Sequence, residues 1–190
     1  MIVADRPGFA MSEPRQAVTS IKAQAEALSA MLDGPPTQKV VLIGQSYGGP
    51  ISATLAAMRP DKVRGLVLVS AFFGERGPTA RRLDGIGSLI RPALPRDLKN
   101  SLSEIQNQKP QLKEAYAALE ALRIPIVVLH GEADTFVAPV AARNLAKRAP
   151  NADLVIVPKG DHFLNACCVS DVLESVEKVI AKAEHASAAH

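Results

Sequence analysis

Short apolar runs rich in Val, Ile and Leu recur along the chain at residues 1–4, 39–43, 65–70, 125–130 and 153–157, each bounded by turn-forming or polar residues. Runs this short and continuous suit strands covered on both faces, as in a parallel sheet. Between them the apolar period lengthens to that of a helix. Val18, Ile21, Ala25, Leu28 and Leu32 share one face of a helix predicted over residues 14–32, which Gly34, Pro35 and Pro36 stop. Ile51, Leu55 and Met58 mark a second helix that ends before Pro60. Further helices are predicted over residues 139–148 and 170–183, the latter carrying Val172, Leu173, Val176, Val179 and Ile180. Strands alternating with helices predict an α/β fold of three layers, α/β/α, with a mostly parallel sheet of about five strands. Residues 73–121 break the rhythm. No strand pattern appears there, and Pro78, Pro92, Pro95 and Pro110 cut the stretch into short helical pieces such as residues 112–122. An insertion between two parallel strands, at their carboxyl ends, predicts a small helical cap within a single domain of residues 1–190.

Composition narrows the class. The 190 residues are 47% hydrophobic and 22% charged, enough for one sizeable core. The 22 Lys and Arg against 19 Asp and Glu leave a net charge of only +3, with no basic block interleaved with aromatics, so no nucleic-acid partner is expected. Arg76, Arg81, Arg82, Arg91 and Arg96 in the cap read as solvated surface. No apolar run approaches the roughly 18 residues of a membrane-spanning helix, and no basic segment followed by an apolar signal core opens the chain, which is read as cytoplasmic. The two cysteines, Cys167 and Cys168, are adjacent; a strain-free disulfide between neighbours is geometrically difficult, and without a second pair they form no zinc site, so both read as free thiols.

The chemistry concentrates in Gly44-Gln45-Ser46-Tyr47-Gly48, which follows the apolar run at 39–43 and precedes a small-residue helix. Strand, sharp turn and helix in that order form the setting of a nucleophile elbow, where a strained serine is lifted above the sheet and flanking glycines permit close approach. A serine hydroxyl attacks a carbonyl at neutral pH only if a base takes its proton, and imidazole has the pKa to do so. Of the four histidines, His185 and His190 lie in a polar tail and His130 ends a predicted strand. His162 remains, on a loop just past the last strand and at the same sheet edge as Ser46. A carboxylate must hold the base's other nitrogen. Asp134, after the penultimate strand, supplies one; Glu132 is a rival, and Asp161 is less suitable because adjacency to His162 does not aim it at the ring. The order Ser46, Asp134, His162 is that of one fold among those that carry such triads.

With these pieces in order, the chain resembles the α/β-hydrolase fold superfamily, in its cap-bearing serine esterase and lipase-like branch. The resemblance rests on Asp5-Arg6-Pro7-Gly8-Phe9, the elbow, residues 59–68, His130-Gly131 with Asp134, and Gly160-Asp161-His162, which span almost the whole chain. It is weaker at Ala10-Met11-Ser12, where relatives read Gly-x-Ser. It implies Ser46 as nucleophile, Asp134 as acid and His162 as base. The expected activity is a carboxylesterase cleaving small acyl esters without a cofactor; a thioesterase or acyltransferase would use the same residues, and a non-catalytic binding module is the alternative of another class. Relatives carry three strands ahead of the Asp-Arg-Pro-Gly turn, one followed by a His-Gly loop that donates an oxyanion-hole N–H, and these have no counterpart here. The Tyr47 N–H is then one donor, and Gly8 or Phe9 are candidates for the second if the strand at 1–4 moves beside that at 39–43. A homodimer through the exposed sheet edge is the other way to cover that edge.

Overall fold

The computed structural model describes residues 2–35 and 37–188. Four strands, β1 (Val40–Gln45), β2 (Val63–Val69), β3 (Ile126–Gly131) and β4 (Ala152–Val157), form one parallel sheet in the order β1-β2-β3-β4. Because the strands follow one another in chain order, every crossover steps the same way and lays its helix on the same face. That face carries α1 (Ile21–Ser29), α2 (Gly48–Met58), α5 (Leu112–Ala121) and α6 (Pro139–Arg148). There Ile21, Ile51, Leu55, Leu119 and Leu145 pack on Leu66, Leu68, Ile126 and Val128. The alternate residues of the same strands, Val67, Val69, Val127 and Leu129, point to the opposite face. They are covered there by Leu164 of α7 (Leu164–Cys167) and Val179 of α8 (Val169–Ala188). Helices thus cover both faces, and the central strands β2 and β3 are buried almost throughout.

Two expectations are corrected. The sheet has four strands among the described residues, not about five: Met1 lies outside them, and Ile2, Val3 and Ala4 adopt no strand. Ile2 and Val3 are 79% and 82% exposed, because a run so short gains nothing from extension without a ladder partner. The edge of β1 away from β2 therefore pairs with no strand among the described residues. The helix predicted over 14–32 begins only at Ile21, where the Ser20 side chain accepts the Ala23 N–H and caps it.

Between β2 and β3 lie α3 (Pro78–Leu89), α4 (Arg96–Asn107) and α5, joined by single 3-10 turns. These pieces differ in role. Ala115 and Leu119 of α5 belong to the main core, whereas α3 buries no residue. Helix α4 buries Asn100 and Glu104, polar residues whose partners lie in the N-terminal turn: Asn100 Nδ2 donates to the Gly8 carbonyl, and Glu104 pairs with Arg6.

Candidate active site

Ser46 stands at the turn from β1 into α2 with φ +50°, in the left-handed region that a non-glycine residue enters at a cost of about 1–3 kcal/mol. The turn is held by ladder-like bonds: the Ser46 N–H donates to the Val69 carbonyl, and the Ser46 carbonyl accepts from Gly49 and Phe72. Of the pentapeptide glycines only Gly44 is sterically required, since a Cβ there would lie 2.6 Å from Ser52 Oγ. Gly48 has open space. The close approach on the helical side falls instead on Gly49, where a Cβ would sit 2.6 Å from the Ala71 side chain.

The loops after β3 and β4 meet at the same carboxyl edge. A Cβ on Gly131 would lie 2.3 Å from the Gly160 carbonyl, so only glycine lets the two loops touch. They are then laced together by the Ala133 N–H on the Gly160 carbonyl and the Glu132 N–H on Val157. This brings Asp134 under His162. His162 Nδ1 lies 2.9 Å from Asp134 Oδ2, and His162 Nε2 lies 3.0 Å from Ser46 Oγ. A carboxylate only accepts, so Nδ1 carries the proton and Nε2 is left to accept from the serine. Asp134 Oδ1 accepts the N–H groups of Phe136 and Val137, which fixes the carboxylate plane. Burial works against the charged form of Asp134, but the hydrogen bonds from His162, Val137 and Phe136 outweigh it and hold its carboxyl below the ordinary range. Phe136 and Phe163 flank the His162 ring, and Gln45 Nε2 ties the His162 carbonyl and Asn165 back to the elbow.

The rivals stand apart. Glu132 is exposed, and the exposed Asp161 accepts the Phe163 N–H rather than facing the ring. His185 is exposed on α8, and His190 lies outside the described residues. Among the described residues no group of three or more His, Cys, Asp and Glu is placed to hold a metal ion.

His130 is buried behind the acid, with Nε2 donating to the Val137 carbonyl at 3.1 Å and 3.3 Å from Asp134 Oδ2. Its Nδ1 finds no partner among the described residues. Burial pushes this imidazole below its ordinary value of 6.5, against the opposing pull of Val137 and Asp134. The unfolded chain therefore takes up the proton first, so the contribution of neutral His130 to stability is complete above about pH 6.5 and is lost as pH falls toward the folded value. The urea midpoint is expected to drop between about pH 7.5 and pH 5.5, and to drop less in His130→Gln, which keeps an N–H for Val137 but does not titrate. Equal drops in the two proteins would refute this.

A cavity of about 220 Å³ opens over the serine, lined by Arg6, Gln45, Ser46, Tyr47, Ser101, Glu104 and Ile105 among others. Arg6 lies over the rings of Phe9 and Tyr47, 4.2 and 5.2 Å from their centroids, and binds Glu104 with both terminal nitrogens. Glu104 is 1% exposed, and Gln24 donates to it as well. Burial pushes its carboxyl upward, an effect that Arg6 and Gln24 only partly offset. It is the Arg6 side chain that reaches this cavity from the N-terminal turn; neither Gly8 nor Phe9 lines it, and the Phe9 N–H is consumed in closing the turn on the Arg6 carbonyl. The Tyr47 N–H makes no backbone hydrogen bond among the described residues. The arginines between β2 and β3 are engaged elsewhere: Arg76 with Asp84 and the Ile105 carbonyl, Arg81 with the Arg76 carbonyl, Arg91 with Ser103, Arg96 with Asp97 and the Ala10 carbonyl, while Arg82 is exposed. Glu104, Ser101 and Ile105 escaped the sequence reading because nothing in their spacing on a polar helix marks a site. Arg6 stood in a recognised turn but carried no sign of its direction.

Residues 1–88 match the family model described as the alpha/beta hydrolase fold. Over 70 residues, 37% of this chain and 27% of the relative, the chain is 39% identical to Lipase LipV of Mycobacterium tuberculosis. Over 219 aligned positions, 97% of this chain and 78% of the relative, it is 26% identical to the 2-hydroxymuconate semialdehyde hydrolase of Pseudomonas putida. The first of these likenesses thus spans only about a quarter of the relative's length. Among solved structures, bromoperoxidase from Bacillus anthracis superposes with a TM-score of 0.72 at 18% identity, over 93% of this chain and 80% of that one. With the parallel sheet, the strained turn at Ser46 and these likenesses in agreement, the chain has the α/β-hydrolase fold.

Proposed function

We propose that the chain is a serine hydrolase of the carboxylesterase type, acting on small acyl esters through an acyl-enzyme on Ser46. The observation that carries this reading is the continuous hydrogen-bonded line from Ser46 Oγ through His162 to Asp134 at a strained elbow. In this reading His162 Nε2 takes the Ser46 proton as the oxygen attacks the ester carbonyl, and Asp134 stabilises the imidazolium that forms. The Tyr47 N–H receives the developing oxyanion, at the N-terminal end of α2 where the helix dipole favours negative charge. His162 then protonates the departing alcohol, and water releases the acid by the same route. The Phe9 N–H is engaged by the Arg6 carbonyl, and the Arg6 side chain that lines the cavity is paired with Glu104.

The cavity supports a small acyl group. At about 220 Å³ it falls below the size of pockets for drug-like ligands, and α4 contributes Ser101 and Glu104 to its lining. Purified protein is expected to hydrolyse p-nitrophenyl acetate and butyrate with a kcat/KM at least about tenfold above that for p-nitrophenyl laurate, the difference reflecting methylenes that find no pocket. A preference for laurate would overturn the assignment of substrate size, and no turnover of any of the three esters would overturn the esterase reading.

A further inference from the structure

We propose that Cys167 and Cys168 form a peroxide-sensitive vicinal dithiol whose closure to a disulfide displaces His162. The two sulfurs lie 2.8 Å apart at the surface, with Cys167 exposed. Cys167 is the last residue of α7, and Cys168 occupies the single-residue break before α8, with φ −136° and ψ 48°, while both N–H groups still make i→i−4 bonds. Adjacency argues for a permanent disulfide no better here than in the sequence, because neighbouring Cα atoms stand about 3.8 Å apart whereas disulfides usually span about 4.4–6.8 Å. Strain of that kind makes a bond easily reduced again, which is the property of a regulatory disulfide rather than a structural one.

The coupling to the site is short. Helix α7 begins two residues after His162, and its turn is closed by Cys167 N–H on the Phe163 carbonyl and Cys168 N–H on the Leu164 carbonyl. Asp161 Oδ1, on the other side of His162, accepts the Phe163 N–H and is also approached by Cys167 Sγ at 3.7 Å. Closing the ring must twist the peptide between the cysteines, and that twist pulls on the bonds that set the His162 loop. Cys167 is the exposed sulfur and meets a hydroperoxide first, whereas the hydrogen bond with Cys167 pushes the less exposed Cys168 thiol up to about 11. Cys167 thiolate attacks the terminal oxygen of a hydroperoxide; the S–O bond forms, the O–O bond breaks and the alcohol, or water from hydrogen peroxide, leaves with a proton. Cys168 then attacks the Cys167 sulfenic acid, the S–S bond forms, and the hydroxide leaves as water with the Cys168 proton. Two thiols have lost two electrons and two protons to one hydroperoxide.

The effect on turnover rests on the esterase reading; the disulfide and the loop displacement do not. The full chain treated with hydrogen peroxide is expected to lose two hydrogens in intact mass, within the peptide that contains both cysteines. Amide exchange across residues 161–168 is expected to speed up, and p-nitrophenyl acetate hydrolysis to fall about 10²-fold, as a misplacement of about 1 Å in a catalytic group would produce. Dithiothreitol should reverse all three effects, and Cys167→Ser and Cys168→Ser should keep their exchange and rates under peroxide. Oxidation to sulfinic acid, a disulfide between two chains, or a closed ring with unchanged exchange would each overturn the proposal. If the untreated protein cleaves no ester, the esterase reading fails, and mass and exchange still decide the switch.

Discussion

Replacing Ser46 by alanine is expected to lower p-nitrophenyl acetate hydrolysis by about 10⁴- to 10⁶-fold, to whatever the cavity and the Tyr47 N–H alone sustain. The size follows from the geometry. Ser46 Oγ is the atom 3.0 Å from His162 Nε2, and the alanine methyl leaves the base with no proton to take. The residue's backbone is strained at φ +50°, and alanine, like serine, carries a Cβ, so the strain and the fold persist in the variant. Its melting temperature should therefore stay near that of the parent, which separates loss of chemistry from loss of structure. Fluorophosphonate labelling of the parent should be abolished in Ser46→Ala. Equal ester turnover by the two proteins, or labelling that survives the substitution, would show that another group is the nucleophile.

Asp134→Asn is expected to cost about 10⁴-fold in kcat with little change in KM. The amide oxygen can still accept the Phe136 and Val137 N–H groups, so the loop should hold its shape. The amide nitrogen then faces His162 Nδ1, and because it is a donor it forces the ring proton onto Nε2. In that tautomer Nε2 points a proton at Ser46 and cannot accept one. The variant also leaves the imidazolium without its counter-charge. A kcat within tenfold of the parent's would mean that Asp134 is not the group that orients the base, and Glu132 would then need the same substitution.

Much of the scaffold could be read from apolar spacing. The runs that became β2 and β3 are buried on both faces, which is why they stand out as continuous Val and Leu stretches. Helix α6 spans the residues its periodicity predicts, and α8 starts close to expectation but runs on to Ala188. The failures have local causes. Residues 2–4 have the composition of a strand but no partner ladder, and the pattern at 14–18 resembles a helix whose cap lies six residues further on, at Ser20. In residues 73–121 the prolines revealed breaks but not roles, since α5 joins the core and α4 faces the serine.

The sequence alone determined the elements and their order, the strand-turn-helix at Ser46, and a histidine and a carboxylate on the two final loops. Each of these depends on local periodicity, on turn residues or on chain order. Tertiary structure decided which groups meet. The choice of Asp134 over Glu132 depends on the contact of Gly131 with Gly160, which lays one loop against the other. The pairing of Arg6 with Glu104 joins residues 98 positions apart, and no spacing rule reaches that far. The same holds for the cysteines: adjacency was plain in the chain, but the contact of their sulfurs beside the His162 loop belongs to the folded turn between α7 and α8.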